Sequence, residues 1–120
     1  MFDFQKLDVY QKAKSFCKDI TIAINTQKFD RTTNDQLRRA SFSVMLNIAE
    51  GASRFSNKDR RNFLVISRGS VLECVAILEY LREVNAITLE SFQFYYCRLE
   101  ELSKMLFALI RKLEEKQNAV

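Results

Sequence analysis

Backbone-breaking residues are almost missing from this 120-residue sequence, which has no proline and only two glycines. Inside a helix, proline costs about 3 kcal/mol and glycine about 1 kcal/mol relative to alanine. Residues that favour helices, such as leucine, lysine, arginine and glutamate, are abundant instead. The composition therefore predicts an all-α protein, and the length suffices for one domain with its own core.

Apolar residues recur every three or four positions in four long segments, as amphipathic helices require. These segments predict helices over about 5–27, 34–53, 57–84 and 89–116. Residues typical of helix starts and ends flank the connections, namely Thr33, Gln36, Ser56, Asp59, Asn85 and Thr88. Because the helices are similar in length and joined by short connections, we predict a single domain, residues 1–120, folded as an up-down-up-down antiparallel four-helix bundle.

Several classes of function are not expected. Histidine is absent, which removes the most common general base and the most common metal ligand. The three cysteines, Cys17, Cys74 and Cys97, are too widely spaced for a zinc site, so we expect reduced thiols, no metal and no cofactor. Without a nucleophile motif or a glycine-rich phosphate loop, the protein is not expected to be an enzyme.

The first residues are unlike a signal peptide, and no apolar run approaches the roughly 20 residues of a membrane span. We therefore expect a cytoplasmic protein without a membrane partner.

Polar residues interrupt the apolar faces of the second and third predicted helices at spacings of three and four. They are Ser43, Asn47 and Glu50 on one helix, and Ser67, Ser70 and Glu73 on the next. Buried polar groups must be hydrogen-bonded, and small hydroxyl side chains permit close helix contact. We therefore predict a structural polar network between the two helices, with Arg68 or Arg39 neutralising Glu50. The alternative is that Glu50 and Glu73 are catalytic or metal-binding carboxylates.

The second predicted helix carries additional apolar residues about 100–140° away from its main apolar stripe. They are Phe42, Met45, Leu46 and Ala49, and Phe107 lies similarly beside the main stripe of the fourth helix. Since one buried stripe suffices for a bundle helix, this excess predicts an interface with other copies of the chain. The alternative is that both helices are deeply buried within the monomer.

Positive charge is concentrated in residues 34–71, whose seven cations and three anions give the same +4 as the whole chain. We predict a nucleic-acid site at the corner between the second and third helices, formed by Arg38, Arg39, Arg54, Lys58, Arg60, Arg61 and Phe55. Arginine donates two hydrogen bonds to a phosphate, and the phenylalanine could stack on an unpaired base. Alternatively, the corner only keeps the protein soluble, with Phe55 packed beneath the turn.

Three segments, residues 7–13, 36–51 and 63–73, resemble a known family, and the Asn-Ile-Ala-Glu-Gly block at 47–51 is the most specific part. The family comprises bacterial four-helix-bundle proteins encoded in intervening sequences of 23S ribosomal RNA genes, often mislabelled as ribosomal proteins. The resemblance implies a four-helix bundle and a homo-oligomeric, typically pentameric, ring. A related branch consists of accessory proteins of diversity-generating retroelements, which bind nucleic acid and a reverse transcriptase.

Residues and resemblance together predict a non-catalytic homo-oligomer that binds nucleic acid, with RNA favoured over DNA. The alternative is an adaptor for other proteins, such as an accessory subunit of a reverse transcriptase, which would use the outer apolar face.

Overall fold

The structure, a computed structural model, describes residues 1–27 and 29–118 of the chain. A short 3₁₀ helix, Asp3–Lys6, precedes four α-helices. These are α1 (Asp8–Gln27), α2 (Arg31–Ala52), α3 (Asn57–Glu83) and α4 (Leu89–Asn118). The predicted all-α class is confirmed, and the described residues contain no strand.

Each α-helix packs against two neighbours, so the four helices form a closed ring in cross-section. α1 and α3 each contact both α2 and α4, whereas helices at opposite corners do not approach closely in the described part of the chain. The short connections make consecutive helices run antiparallel. The bundle measures 52 × 27 × 22 Å, and its up-down-up-down arrangement is the predicted one.

The core is built from one apolar stripe of each helix, as the periodicity predicts. Its largest fully buried side chains include Phe16 and Ile20 on α1, Leu37 and Ile48 on α2, Leu78 on α3, and Leu99, Leu102 and Leu106 on α4. Full burial of one such side chain contributes roughly 1.5–3 kcal/mol. Packing of these stripes, rather than local helix propensity, therefore supplies most of the helical stability.

Local capping residues determine where α2 and α3 begin. α2 starts at Arg31 and not near residue 34, because Asp30 is its N-cap and accepts a hydrogen bond from the Thr33 backbone N–H at 2.8 Å. This hydrogen bond lowers the pKa of the Asp30 carboxyl. The predicted capping role of Thr33 is therefore wrong, since Thr33 lies inside the first turn of α2. At α3 the prediction is confirmed: Ser56 accepts from the Asp59 N–H at 3.1 Å.

Candidate nucleic-acid interface

Three parts of the chain meet at one end of the bundle: the 3₁₀ helix, the turn between α2 and α3, and the last turns of α4. Antiparallel topology brings them together, because α2 and α4 end where α1 and α3 begin. A cavity of about 400 Å³ lies at this end, and Arg60, Lys112 and Lys116 are among its lining residues. We call this region the basic end and define it by six of its cations, Arg54, Lys58, Arg60, Arg61, Lys112 and Lys116.

Arg54, in the turn directly after α2, is held by one residue on each of the flanking helices. Its Nη2 donates to Glu50 Oε1 at 2.8 Å. Its guanidinium carbon lies 4.6 Å from the centroid of the Phe63 ring, in a cation–π contact with α3. Glu50 is thus neutralised by Arg54, one turn further along the chain, and the predicted pairing with Arg68 or Arg39 is wrong.

Arg60, in the first turns of α3, forms a hydrogen bond to the turn that follows α2. Its Nε donates to the Arg54 backbone carbonyl at 2.6 Å. Arg54 lies two residues beyond the last residue of α2, so this hydrogen bond joins the turn to α3. Arg60 therefore holds the turn between α2 and α3 in place and has a structural role besides any contribution to ligand binding.

Arg61 and Lys58 differ in how they are engaged. Arg61 Nε donates to Glu114 Oε2 at 2.9 Å, an ion pair that joins α3 to α4. Lys58 is exposed in the first turn of α3 and has no ion-pair partner among residues 1–27 and 29–118. A cation near a helix N-terminus opposes the helix dipole, so the stability of α3 does not explain Lys58. Lys112 and Lys116 on α4 are likewise exposed and without an ion-pair partner among the described residues, so these three lysines are the cations at this end that are open to an external anion.

Arg38 and Arg39 do not belong to the basic end. They precede Arg54 by 16 and 15 residues. At 1.5 Å per residue this corresponds to about 23 Å along the axis of α2. The Arg38 guanidinium instead lies 3.9 Å from the Asp35 carboxylate. The structure therefore separates two of the six predicted cations from the other four.

The side chain of Phe55 projects entirely into solvent and is 100% exposed. It lies in the short connection between α2 and α3, next to Arg54 and Ser56. The alternative interpretation, that this ring packs beneath the turn, is wrong. The ring adds nothing to the core, yet it remains accessible beside a group of cations.

Lys112 and Lys116 are the two members of the basic end that a charge count along the chain does not reveal. Residues 72–120 hold six cations and eight anions, so this part of the sequence is net negative. The two lysines nevertheless lie one turn apart on α4 and share a cavity with Arg60. Their spacing of four, combined with the antiparallel topology, is the signal that could have identified them.

Four of the six residues in the predicted polar network are joined between α2 and α3. Ser67, which is fully buried on α3, donates its Oγ–H to the Val44 carbonyl of α2 at 2.7 Å. Ser70 Oγ and Ser43 Oγ lie 2.6 Å apart, and Asn47 Nδ2 donates to Ser43 Oγ at 3.0 Å. Short side chains therefore let the two helices meet closely while their polar atoms remain satisfied.

The two carboxylates of the predicted network lie outside it. Glu50 pairs with Arg54, and Glu73 is exposed on α3. Within residues 1–27 and 29–118, no three cysteine, aspartate or glutamate side chains are grouped so that they could hold a metal ion. None of the helices described is both long and apolar enough for a bilayer crossing.

Gly51 extends the close contact between α2 and α3 as far as the turn. A Cβ atom at this position would lie 3.1 Å from Phe63 Cβ and 3.3 Å from the Arg60 carbonyl oxygen. These distances are shorter than ordinary van der Waals contacts, so the last turn of α2 can only lie this close to α3 with glycine here. The approach places Arg54 over Phe63 and within reach of Arg60.

The residues predicted to form an oligomer interface lie on two different faces. Phe42 and Leu46 are 41% and 57% exposed on α2, where Ala49 continues the same stripe. Met45 is half-buried and packs against the core. Phe107 is 52% exposed on α4, which occupies the corner opposite α2. The monomer does not bury these three large side chains, and Phe107 belongs to a face of its own.

An antiparallel four-helix bundle with one close, serine-lined helix contact and a basic end is thus the class of protein that the fold and the site define. A family model for the 23S rRNA-intervening sequence protein matches residues 5–108, and the chain belongs to this family. The resemblance noted in the sequence is therefore confirmed.

The chain is also similar to a solved structure. This is the crystal structure of a protein of unknown function from the S23 ribosomal protein family of Bacteroides thetaiotaomicron, with a TM-score of 0.80 and 27% sequence identity. The match covers 86% of this chain and 95% of that chain. A search of curated proteins found no match.

Proposed function

We propose that this protein is a non-catalytic homo-oligomer that binds nucleic acid, RNA in preference to DNA, at its basic end. The observation that carries the proposal is the convergence of six cations from two parts of the chain, the α2–α3 turn with the start of α3 and the last turns of α4, with Lys58, Lys112 and Lys116 exposed among them. Lysine and arginine bind phosphates irrespective of base sequence, so little base readout is expected. The family description, which refers to an intervening sequence of 23S rRNA, favours RNA.

A single copy of the basic end would bind weakly. Glu50 and Glu114 each pair with one of its arginines, and Asp59 lies in the first turn of α3. Few cations of one copy are therefore available to phosphate. Several copies held in one assembly would add their contacts, which raises the avidity and steepens the dependence on salt.

Two separate apolar faces support assembly into a ring, and the family resemblance implies five subunits. The first face, on α2, carries Phe42 and Leu46. The second face lies where α3 meets α4. The guanidinium carbon of Arg68 on α3 lies 5.4 Å from the centroid of the Phe107 ring on α4. Leu72, one turn beyond Arg68, is 52% exposed. A two-fold dimer would bury only one such face, whereas a head-to-tail contact uses both and produces a ring when the rotation closes.

Measurement of the solution mass during an RNA titration tests the proposal. We expect a multiple of the 14.1 kDa chain mass, and binding to a random single-stranded RNA that weakens steeply with added salt. Lys58→Glu should lower the affinity roughly tenfold or more, because it reverses one cation at every copy of the basic end. Lys104→Glu is the matched control, since it makes the same change of charge at an exposed position on α4 outside the basic end.

Each part of the proposal has its own contradicting result. A 14.1 kDa monomer at high protein concentration would contradict the ring. The absence of RNA binding at low ionic strength would contradict the nucleic-acid role. Equal losses of RNA affinity in Lys58→Glu and Lys104→Glu would show that RNA does not bind at the basic end. Phe42→Asp should dissociate the assembly without loss of helicity, because the side chain is already half-exposed in the monomer.

A further inference from the structure

A second cavity, of about 760 Å³, opens beside the basic end between the 3₁₀ helix and the C-terminal half of α2. We call it the N-terminal cleft. Its apolar wall is formed mainly by Phe2, Phe4, Leu46 and Phe63, and its polar groups include Asn47, Glu50 and Arg54. The volume falls within the roughly 300–1,000 Å³ that is typical of small-ligand pockets.

Two phenylalanines that line the N-terminal cleft are largely in water. Phe55 is 100% exposed and Phe2 is 73% exposed, so neither ring is part of the core. Phe55 belongs to the α2–α3 turn, and Phe2 is the residue before the 3₁₀ helix. Accessible aromatic faces of this kind are platforms on which planar rings stack.

The charges that line the N-terminal cleft nearly cancel. Arg54 pairs with Glu50, and the remaining lining charges are Asp3 and Arg60, one of each sign. A phosphate would therefore gain little inside the cleft, whereas an uncharged planar ring suits its apolar wall. The exposed cation Lys58 lies three residues after Phe55 and is not among the lining residues. The cleft therefore suits the base of a nucleotide better than its phosphate.

We infer that the N-terminal cleft binds an unpaired nucleotide of a single-stranded RNA segment, with its base stacked on Phe55 and its phosphates outside the cleft. The Asn47 amide donates to Ser43, and Glu50 Oε1 accepts from Arg54. The Asn47 side-chain carbonyl and the second carboxylate oxygen of Glu50 therefore remain as acceptors for the base edge. The base must be unpaired, because the bases of a duplex are stacked inside it and cannot enter a cleft. This inference rests on the proposed function and adds to it a preference for single strands.

Three RNA probes of equal length separate stacking from charge: a single-stranded 12-mer, a 12-base-pair duplex, and an abasic 12-mer with the same phosphates. We expect the wild-type protein to bind the single strand more tightly than the abasic probe. Phe55→Ala should weaken single-strand binding roughly 5- to 150-fold, the range expected for the loss of one base stack, and leave abasic binding unchanged. Phe55→Tyr should retain most of the affinity, because its ring can also stack.

Tyr80→Ala is the matched control, since Tyr80 is 60% exposed near the far end of α3 and should not affect any probe. Folding does not complicate these variants, because neither ring is buried. If no probe binds at low salt, the proposed function fails and this inference fails with it. If all three probes bind and Phe55→Ala changes none of them, the proposed function stands and this inference is overturned. A smaller solution mass for Phe55→Ala would also overturn it, because the ring would then contact another copy of the chain.

Discussion

The contact between α2 and α3 and the contact between α1 and α4 are built on different principles. α2 and α3 approach each other closely along most of their length, whereas α1 and α4 do so at few points. Between α2 and α3, short polar side chains such as Ser67 and Ser70 form hydrogen bonds that are largely shielded from water. Between α1 and α4, long side chains reach across: Lys12 Nζ lies 2.9 Å from Glu101 Oε1, and Arg98 Nε lies 3.5 Å from Asp19 Oδ2.

The difference explains why the candidate site lies where it does. Backbones that meet through serine and glycine leave little room for adjustment, so the turn at the end of such a contact is held in one arrangement. Ion pairs between half-exposed side chains tolerate changes in helix spacing and contribute little to stability. We therefore expect substitutions in the α2–α3 contact to affect both folding and the basic end, and substitutions in the α1–α4 contact to affect neither strongly.

Ser67→Leu should have the largest effect. The side chain is fully buried, and its hydroxyl is bonded to the Val44 carbonyl, so leucine removes that hydrogen bond and forces α2 and α3 apart. Overpacking costs about 1–3 kcal/mol and the lost hydrogen bond about 1 kcal/mol, so unfolding in urea should show a loss of about 3 kcal/mol. Ser67→Ala, which keeps the close approach, should lose only about 1 kcal/mol. Equal losses in the two variants would show that close approach is unimportant.

A rise in pH should destabilise the core next to this contact. Burial is the main cause that raises the pKa of Cys74 from its ordinary 9.0 to about 12, and the Glu73 carboxylate and Cys17 add to it. The folded protein thus keeps a proton that the unfolded chain releases, so stability is complete below about pH 9 and is lost as the pH rises towards 12. At ~1.4 kcal/mol per pH unit, the loss over the two units from pH 9 to pH 11 should be about 3 kcal/mol.

Urea unfolding of the wild-type protein and of Cys74→Ala at several pH values between 8 and 11 tests this expectation. The alanine variant starts less stable because it leaves a small cavity, but its free energy of unfolding should fall less steeply with pH. Parallel curves for the two proteins would show that the fold does not hold the thiol in its neutral form.

The two glycines should respond oppositely to the same substitution. Gly51→Ala introduces a Cβ that would lie 3.1 Å from Phe63 Cβ, so we expect a net destabilisation of about 1 kcal/mol, and a weaker affinity for RNA because the Arg54 turn shifts. Gly69→Ala introduces a Cβ with no atom within 4 Å, so the gain in helix propensity should stabilise the protein by up to about 1 kcal/mol. Thermal unfolding of both variants measures the signs, and a stabilised Gly51→Ala would contradict the close contact.

The smallest effect is expected at the α1–α4 contact. Lys12 and Glu101 are 46% and 54% exposed, and ion pairs in water contribute about 0.2–1 kcal/mol. A double-mutant cycle with Lys12→Met and Glu101→Gln should give a coupling energy below about 1 kcal/mol that vanishes in high salt. A coupling as large as the effect of Ser67→Leu would remove the distinction between the two contacts.

The sequence predicts which residues of the site share a helix face, but it does not predict which of them meet in space. The spacing of Ser43, Asn47, Ser67 and Ser70 shows which helix faces carry polar groups, and the structure joins these residues. The partner of Glu50 could not be read in this way, since Arg54, Arg68 and Arg39 are all plausible by charge. Only the geometry of the turn after α2 selects Arg54.

The grouping of the cations in space could be predicted even less well. A run of charge in the sequence groups Arg38 and Arg39 with Arg54, although about 23 Å of helix separates them. The same run omits Lys112 and Lys116, which the topology brings to Arg60 from more than 50 positions away. The exposure of Phe55 also depends on how the turn is built, because a phenylalanine in a short connection is equally compatible with a packed or a free ring.

By itself, the sequence determined the helices, their buried stripes and their antiparallel order. The absence of proline and the apolar periodicity specify the helices and their buried faces, and short connections make consecutive helices pack antiparallel. The tertiary structure alone decided which charges meet, which carboxylates are neutralised and which rings remain in water. Those outcomes depend on distances between residues far apart in the chain, and local patterns carry no information about such distances.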